Sequence, residues 1–356
     1  MSAATLSRES PLASERAARS PGGRSRRWLA RCATLLVATA ICLGLLELCT
    51  RWVFDRSGMH FGIEMWKYSR LLKRPSSLPG LGHEHIPNRR AHLMGVDVAI
   101  NSLGLRDREV AGQKPEGTKR ILVLGDSMTL GWGAAVADCY PQRLQRLLNE
   151  QPAAQPSVDY QVLNCGVGNY NTVQEVAYFR ERGLALEPDL VVLGFFLNDA
   201  ELRHDPAQHF LARHSYLYVL ASSGVDAFLR RSGSLPDWQS HYAELYRDDA
   251  AGWRDCRRAI GELVVLCRKQ QIPLLVVLIP ELHRLGADYP FRAAHQSVTD
   301  LVTQQGVRVL DLVAAFDGQE PASLWVSPGD AHPNAKGHQI IAEALAGAVA
   351  EELSGS

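Results

Sequence analysis

The sequence predicts an α/β domain with a five-stranded parallel sheet covered by helices on both faces, preceded by one apolar helix. Three observations predict it. Five short apolar runs, Ile121–Leu124, Tyr160–Leu163, Leu190–Gly194, Leu274–Ile279 and Val307–Leu310, are each long enough for a strand. Longer amphipathic stretches separate them, and the N-terminal region switches abruptly from arginine-rich to charge-free. Strands that lack polar alternation are buried on both faces, and helical crossovers between them make the sheet parallel.

The elements follow in chain order. Residues 1–31 hold Arg8, Arg16, Arg19, Arg24, Arg26, Arg27 and Arg31 among Ser, Ala, Pro and Gly, which reads as a flexible basic tail. From Cys32 to Leu46 no charge occurs, and residues 32–49 with Trp28–Ala30 approach the roughly 20 residues that cross a hydrocarbon core. The arginines before this span face only mixed Glu47, Arg51, Asp55 and Arg56 after it. That asymmetry predicts a single-pass protein of the cell membrane, with its N-terminus cytoplasmic and its body extracytoplasmic. An uncleaved signal-anchor and a signal peptide cleaved at Ala38-Thr39-Ala40 both fit; a buried soluble helix would leave the arginines without a role.

Residues 50–118 read as a neck, punctuated by Pro75, Pro79, Pro87 and Pro115, with strand-like alternation only over His92–Ile100. The main domain is expected over 119–353, with helices at about 139–150, 172–186, 249–271, 291–305 and 335–352. The Glu201–Arg247 stretch exceeds an ordinary connection and is expected as a lid or side wall. Cys139, Cys165, Cys256 and Cys267 read as buried thiols; the last two lie about 16 Å apart along one helix, too far to bridge.

Composition excludes several classes. Lys+Arg and Asp+Glu balance at 38 each, so no field favours nucleic acid. The glycine-rich segment from Gly125 to Gly133 lacks both the Lys-Ser/Thr of a phosphate-binding loop and G-x-G-x-x-G spacing. No paired-histidine signature supports a metal, and none is expected.

What remains is concentrated at the carboxyl ends of the strands, where open α/β sheets keep their chemistry. The first strand delivers Gly125-Asp126-Ser127, the second Gly166-Val167-Gly168-Asn169, the third Asn198-Asp199, the fourth Glu281, and the loop after the fifth Asp330 and His332. A serine hydroxyl attacks an acyl carbonyl only with a base for its proton, a carboxylate to orient that base, and N–H donors for the oxyanion. Ser127, His332 and Asp330 supply the first three. The Ser127 N–H, a loop N–H at Gly168 or Asn169, and the Asn198 amide are the expected donors. Asp126 reads as a brace of the turn, Asp199 as structural, His338 as a surface or packing residue, and Glu281 and His283 as solvated loop residues.

Gly125-Asp126-Ser127, Asn164 through Thr172, Gly194 through Asp199, and His332-Pro333-Asn334 with Gly337 resemble the four blocks of the SGNH/GDSL hydrolase family. The resemblance spans roughly residues 118–353. It implies a flavodoxin-like three-layer α/β/α sandwich and a metal-independent, cofactor-free esterase or acetyl-transfer activity, with the roles just assigned. Asn101 through Arg106 also resembles a neck motif of membrane-tethered relatives. Asn169 stands where the family has a glycine donor, and Asn tolerates positive φ best among other residues. Asp330 is two residues before the histidine where many relatives have three, at Gly329. Some relatives acting on polysaccharide acetyl groups resemble this spacing. The expectation is a serine esterase acting on a short O-acyl, acetyl-like ester of an extracytoplasmic carbohydrate or similar substrate. An O-acetyltransferase, a lipase-like hydrolase and a silent glycan-binding module are the alternatives.

Overall fold

The computed structural model describes residues 22–56, 60–150, 158–202 and 210–354. Most of the basic tail expected over 1–31 lies outside them. The chain divides into two units, Met1–Asp55 and Arg56–Ser356.

The first unit is α1 (Gly22–Arg56). Its Arg26–Arg56 portion is long and apolar enough to cross a membrane, with a mean hydropathy of 2.2 over its best window and an exposed surface. The helix extends past both ends of the expected 32–49 span, because Arg and Leu propagate helix as readily as the apolar core does.

In the second unit the expected neck is folded. It contains α2 (Phe61–Leu71), an antiparallel ladder of β1 (Lys73–Pro75) and β2 (His83–His85), and another of β3 (Arg90–Leu93) and β4 (Val96–Ala99). The chain then enters the main sheet at β5 (Thr118–Gly125), turns through α3 (Ser127–Leu130), and continues with α4 (Tyr140–Glu150), β6 (Asp159–Gly166), α5 (Thr172–Tyr178) and β7 (Leu190–Phe195). The expected lid stretch holds α6 (Phe210–His214), α7 (Tyr216–Arg231) and α8 (Trp238–Leu245); its residues 203–209 lie outside the described ones. There follow α9 (Ala251–Lys269), β8 (Leu274–Leu278), α10 (Arg292–Thr303), β9 (Arg308–Asp311), the hairpin β10 (Trp325–Ser327) and β11 (Asp330–Pro333), and α11 (Ala335–Ser354).

The main sheet has the order β6-β5-β7-β8-β9, and all four pairings are parallel. Alternate residues of each strand enter opposite cores. Leu122, Leu124, Val191, Leu193 and Val276 pack under α5, α9 and α10, whereas Ile121, Val123, Val192 and Val277 pack under α4 and α11. This is the expected three-layer α/β/α sandwich. The chain leaves β5 toward β6 on one side and returns to β7 on the other, so the carboxyl end of β5 is the topological switch point, where a crevice opens. Cys139, Cys165, Cys256 and Cys267 are free and buried, as expected.

Candidate active site

Gly125 ends β5 because a side chain does not fit there: a Cβ would lie 2.0 Å from Thr129 Oγ1. Asp126 then caps α3, its Oδ1 accepting the Met128 N–H at 2.8 Å, and its Oδ2 accepting the Asn198 amide at 2.9 Å. One buried carboxylate thereby braces the first block and ties it to the third. Burial raises its pKa, against the pull of those same donors.

Ser127 opens α3, where the first N–H groups of a helix lack intrahelical acceptors. Its Oγ lies 2.8 Å from His332 Nε2. On the other side of the imidazole, Asp330 Oδ1 lies 2.5 Å from Nδ1 and accepts the His332 backbone N–H at 3.1 Å. A nitrogen facing a carboxylate carries the proton, so Nδ1 is the donor and Nε2 presents a lone pair to the Ser127 hydroxyl. Burial would raise the Asp330 pKa; the hydrogen bonds and charge of His332 outweigh it and hold the carboxyl below its usual value. The segment carrying Asp330 and His332, expected as a loop, is β11, paired with β10 at Trp325↔Pro333 and Ser327↔Asp330. Three-residue ladders leave too short a period for sequence to reveal.

The structure thus brings Ser127, Asp330, His332 and Asn198 to one place. The two loop donors differ. Gly168 N–H is already given to Tyr68 Oη at 2.9 Å, whereas Asn169 N–H has no partner among the described residues. Asn169 adopts φ +67°, the left-handed conformation its side chain tolerates.

Two further side chains, to which no sequence motif points, reach the site. Trp132 Nε1 donates to Asp330 Oδ2 at 2.9 Å, so the carboxylate is held from both sides. Phe61, at the start of α2, stacks on the His332 ring with centroids 5.9 Å apart and an interplanar angle of 26°. Neither has a sequence signal beyond Trp132's nearness to Ser127, since the contacts span 198 and 271 positions. Of the residues set aside earlier, Asp199 accepts the Phe196 N–H at 2.8 Å. His338 is fully buried, accepting the Tyr140 N–H at 3.3 Å. Glu281 is buried and holds the His283 ring rather than lying in solvent.

Residues 123–340 match the GDSL-like lipase/acylhydrolase family. The chain belongs to that family. It is accordingly an ester hydrolase by family. Among solved structures it is similar to an acetylxylan esterase from Geobacillus stearothermophilus, at 19% identity over 66% of this chain and 94% of that one, with a TM-score of 0.42. It is also similar to TesA, at 15% identity over 66% and 99%, TM-score 0.43. A third is a two-domain esterase active on acetylated mannans, at 16% identity and TM-score 0.41, where 68% of this chain covers only 50% of that one. A comparison with curated proteins returns no match.

Proposed function

We propose that the chain is a serine esterase, with Ser127 as nucleophile, His332 as general base and acid, and Asp330 orienting the imidazole. The continuous contact from Ser127 Oγ through His332 to Asp330 carries this reading. As Ser127 Oγ bonds to the acyl carbon, its proton passes to His332 Nε2 and the carbonyl oxygen becomes an oxyanion. Donors for that oxyanion are the Ser127 N–H, the Asn169 N–H and the second Asn198 amide hydrogen, the first being held by Asp126. The ester bond breaks as Nε2–H protonates the leaving alcohol. Water then attacks the acyl-enzyme, His332 takes its proton, and the acid departs as Ser127 is restored.

The substrate is a short O-acyl ester on a carbohydrate alcohol, an acetyl group foremost. The Asp330-Ala331-His332 spacing, like that of relatives acting on polysaccharide acetyl groups, supports this, as does the aromatic wall of Phe61 and Trp132 crowding the imidazole. The α1 helix is read as an anchor that holds the esterase unit outside the cytoplasm, since arginines precede the apolar span. In detergent, the full chain should hydrolyse p-nitrophenyl acetate faster than longer esters and be labelled by a fluorophosphonate. Turnover and labelling that Ser127→Ala matches would overturn the reading.

A further inference from the structure

We propose that Lys73, outside the matched family region, is a positioning residue that aims and polarises the Asn169 N–H toward the reacting ester oxygen. This rests on the esterase reading above.

Lys73 begins β1, and its Nζ donates to the Gly168 carbonyl at 3.1 Å and to Asn169 Oδ1 at 3.0 Å. His83 Nε2, on the neighbouring β2, lies 3.2 Å from the same carbonyl. Gly168 C=O and Asn169 N–H belong to one peptide unit. In a planar trans peptide these two groups point in opposite directions. Fixing the carbonyl from the neck side therefore fixes the direction of the N–H away from the neck. Donors on a carbonyl also strengthen the N–H of the same unit as a donor, because hydrogen-bonded groups polarise one another.

The preceding peptide is held as tightly. His85 Nδ1 faces the Gly104 carbonyl at 3.0 Å, so that nitrogen carries the hydrogen and Nε2 is the acceptor. Tyr68 Oη, 2.6 Å from His85 Nε2, then donates to it, and accepts the Gly168 N–H with its own lone pair. Burial drives the His85 pKa down to about 4, which keeps this direction of donation at neutral pH. The Tyr68 ring presses on Gly168 so closely that a Cβ there would lie 2.7 Å from Cε1. Both groups of Gly168 are thus engaged by the neck, and the next N–H is left for a ligand.

A lysine is an expensive choice for a bond that a neutral donor could make. Among the described residues no carboxylate pairs with Lys73, whose Nζ neighbours are the Gly168 carbonyl, Asn169 Oδ1 and, at 3.4 Å, His83 Nε2. Its Nζ instead sits 4.7 Å from the centre of the Tyr68 ring, and burial lowers its pKa to about 7. When protonated, Nζ places a cation at the carbonyl end of the donor peptide, where it favours negative charge developing at the N–H end.

The test uses the full chain in detergent with p-nitrophenyl acetate. Lys73→Met should lower kcat about tenfold or more with KM within about twofold, since the donor acts on the oxyanion rather than on the bound ester. Lys73→Arg, which keeps a cationic donor, should recover most of kcat. Fluorophosphonate labelling of Ser127 should slow in parallel, while the thermal midpoint of Lys73→Met stays near that of the parent. A kcat for Lys73→Met equal to the parent's overturns the proposal, as does a loss that Arg shares equally. Should Lys73→Met not fold, Lys73→Gln applies the same criteria. Parent turnover no greater than that of Ser127→Ala would instead mark failure of the esterase reading.

Discussion

Asp330 is held by three donors of different kinds, His332 Nδ1, the His332 backbone N–H and the Trp132 indole, and each fixes a different feature of the pair. The imidazole bond sets the tautomer. In Asp330→Asn an amide NH2 replaces one carboxylate oxygen and must face either the two His332 N–H groups or the Trp132 indole, and the negative charge beside the imidazolium is lost, so kcat should fall by ~10³-fold or more with little change in KM. The indole sets the carboxylate's rotation. Trp132→Phe keeps an aromatic ring but removes the N–H and leaves a cavity in a buried cluster, so a fall in kcat of roughly tenfold is expected beside a lowered melting temperature, with kcat measured well below the onset of unfolding. A third residue governs acid stability. Burial foremost, with the charges of Arg106, Arg143 and His332, lowers the His338 pKa from 6.5 to about 3. Between those values the unfolded chain binds a proton that the folded one does not, so stability is full above pH 6.5 and falls as the pH drops toward 3. His338→Gln should flatten the acid slope of the unfolding free energy by up to about 1.4 kcal/mol per pH unit, measured by urea unfolding across that range.

Between elements, the turn after α3 is pinned from the neck by Arg106, which is fully buried. Its guanidinium donates to the carbonyls of Leu130 at 2.9 Å and Ala134 at 2.6 Å, and to that of Gly131. A lysine has a single nitrogen to offer where the fork offers several, so Arg106→Lys should cost about 2–3 kcal/mol, read as a lower urea midpoint at unchanged slope. This contrast explains what was legible in advance. The five main strands were readable because burial on both faces leaves unbroken runs such as Ile121–Leu124, and the helices because their stripes span many turns. Ser127, Asn198 and His332 were readable because each follows a strand or opens a helix within a recognisable block. Arg106 lay in a recognised neck motif, but what it grips is a set of carbonyls, which have no residue code. Tyr68, Lys73 and Phe61 were unreadable for a related reason: their partners at Gly168, Asn169 and His332 are about 100 to 270 positions away, β1 and β2 are too short to carry a period of their own, and α2 buries only Ile63, Glu64 and Tyr68, which make no clean apolar stripe.

For the molecule as a whole, the consequence is that the esterase unit does not begin at the first strand of its main sheet. Arg56–Ser356 is one compact unit. Tyr68, Leu72, Leu93, Met94, Val98 and Ile100 from the neck form one cluster with Leu130 and Trp132, which lie shortly after Ser127. Removing the neck would return Leu130 and Trp132 to water at about 1.5–3 kcal/mol each, a large share of the roughly 5–15 kcal/mol net stability of a domain. It would also release the three carbonyls held by Arg106 and the Gly168 peptide held by Tyr68 and Lys73. Residues 57–356 are therefore expected to melt in one cooperative transition, with kcat for p-nitrophenyl acetate close to that of the full chain. Residues 119–353, which hold the main sheet but for Thr118 and every matched block, are expected to bind a hydrophobic dye, melt without a sharp transition and lose activity. Equal cooperativity and equal kcat in the two fragments would show that the neck is a tether and nothing more.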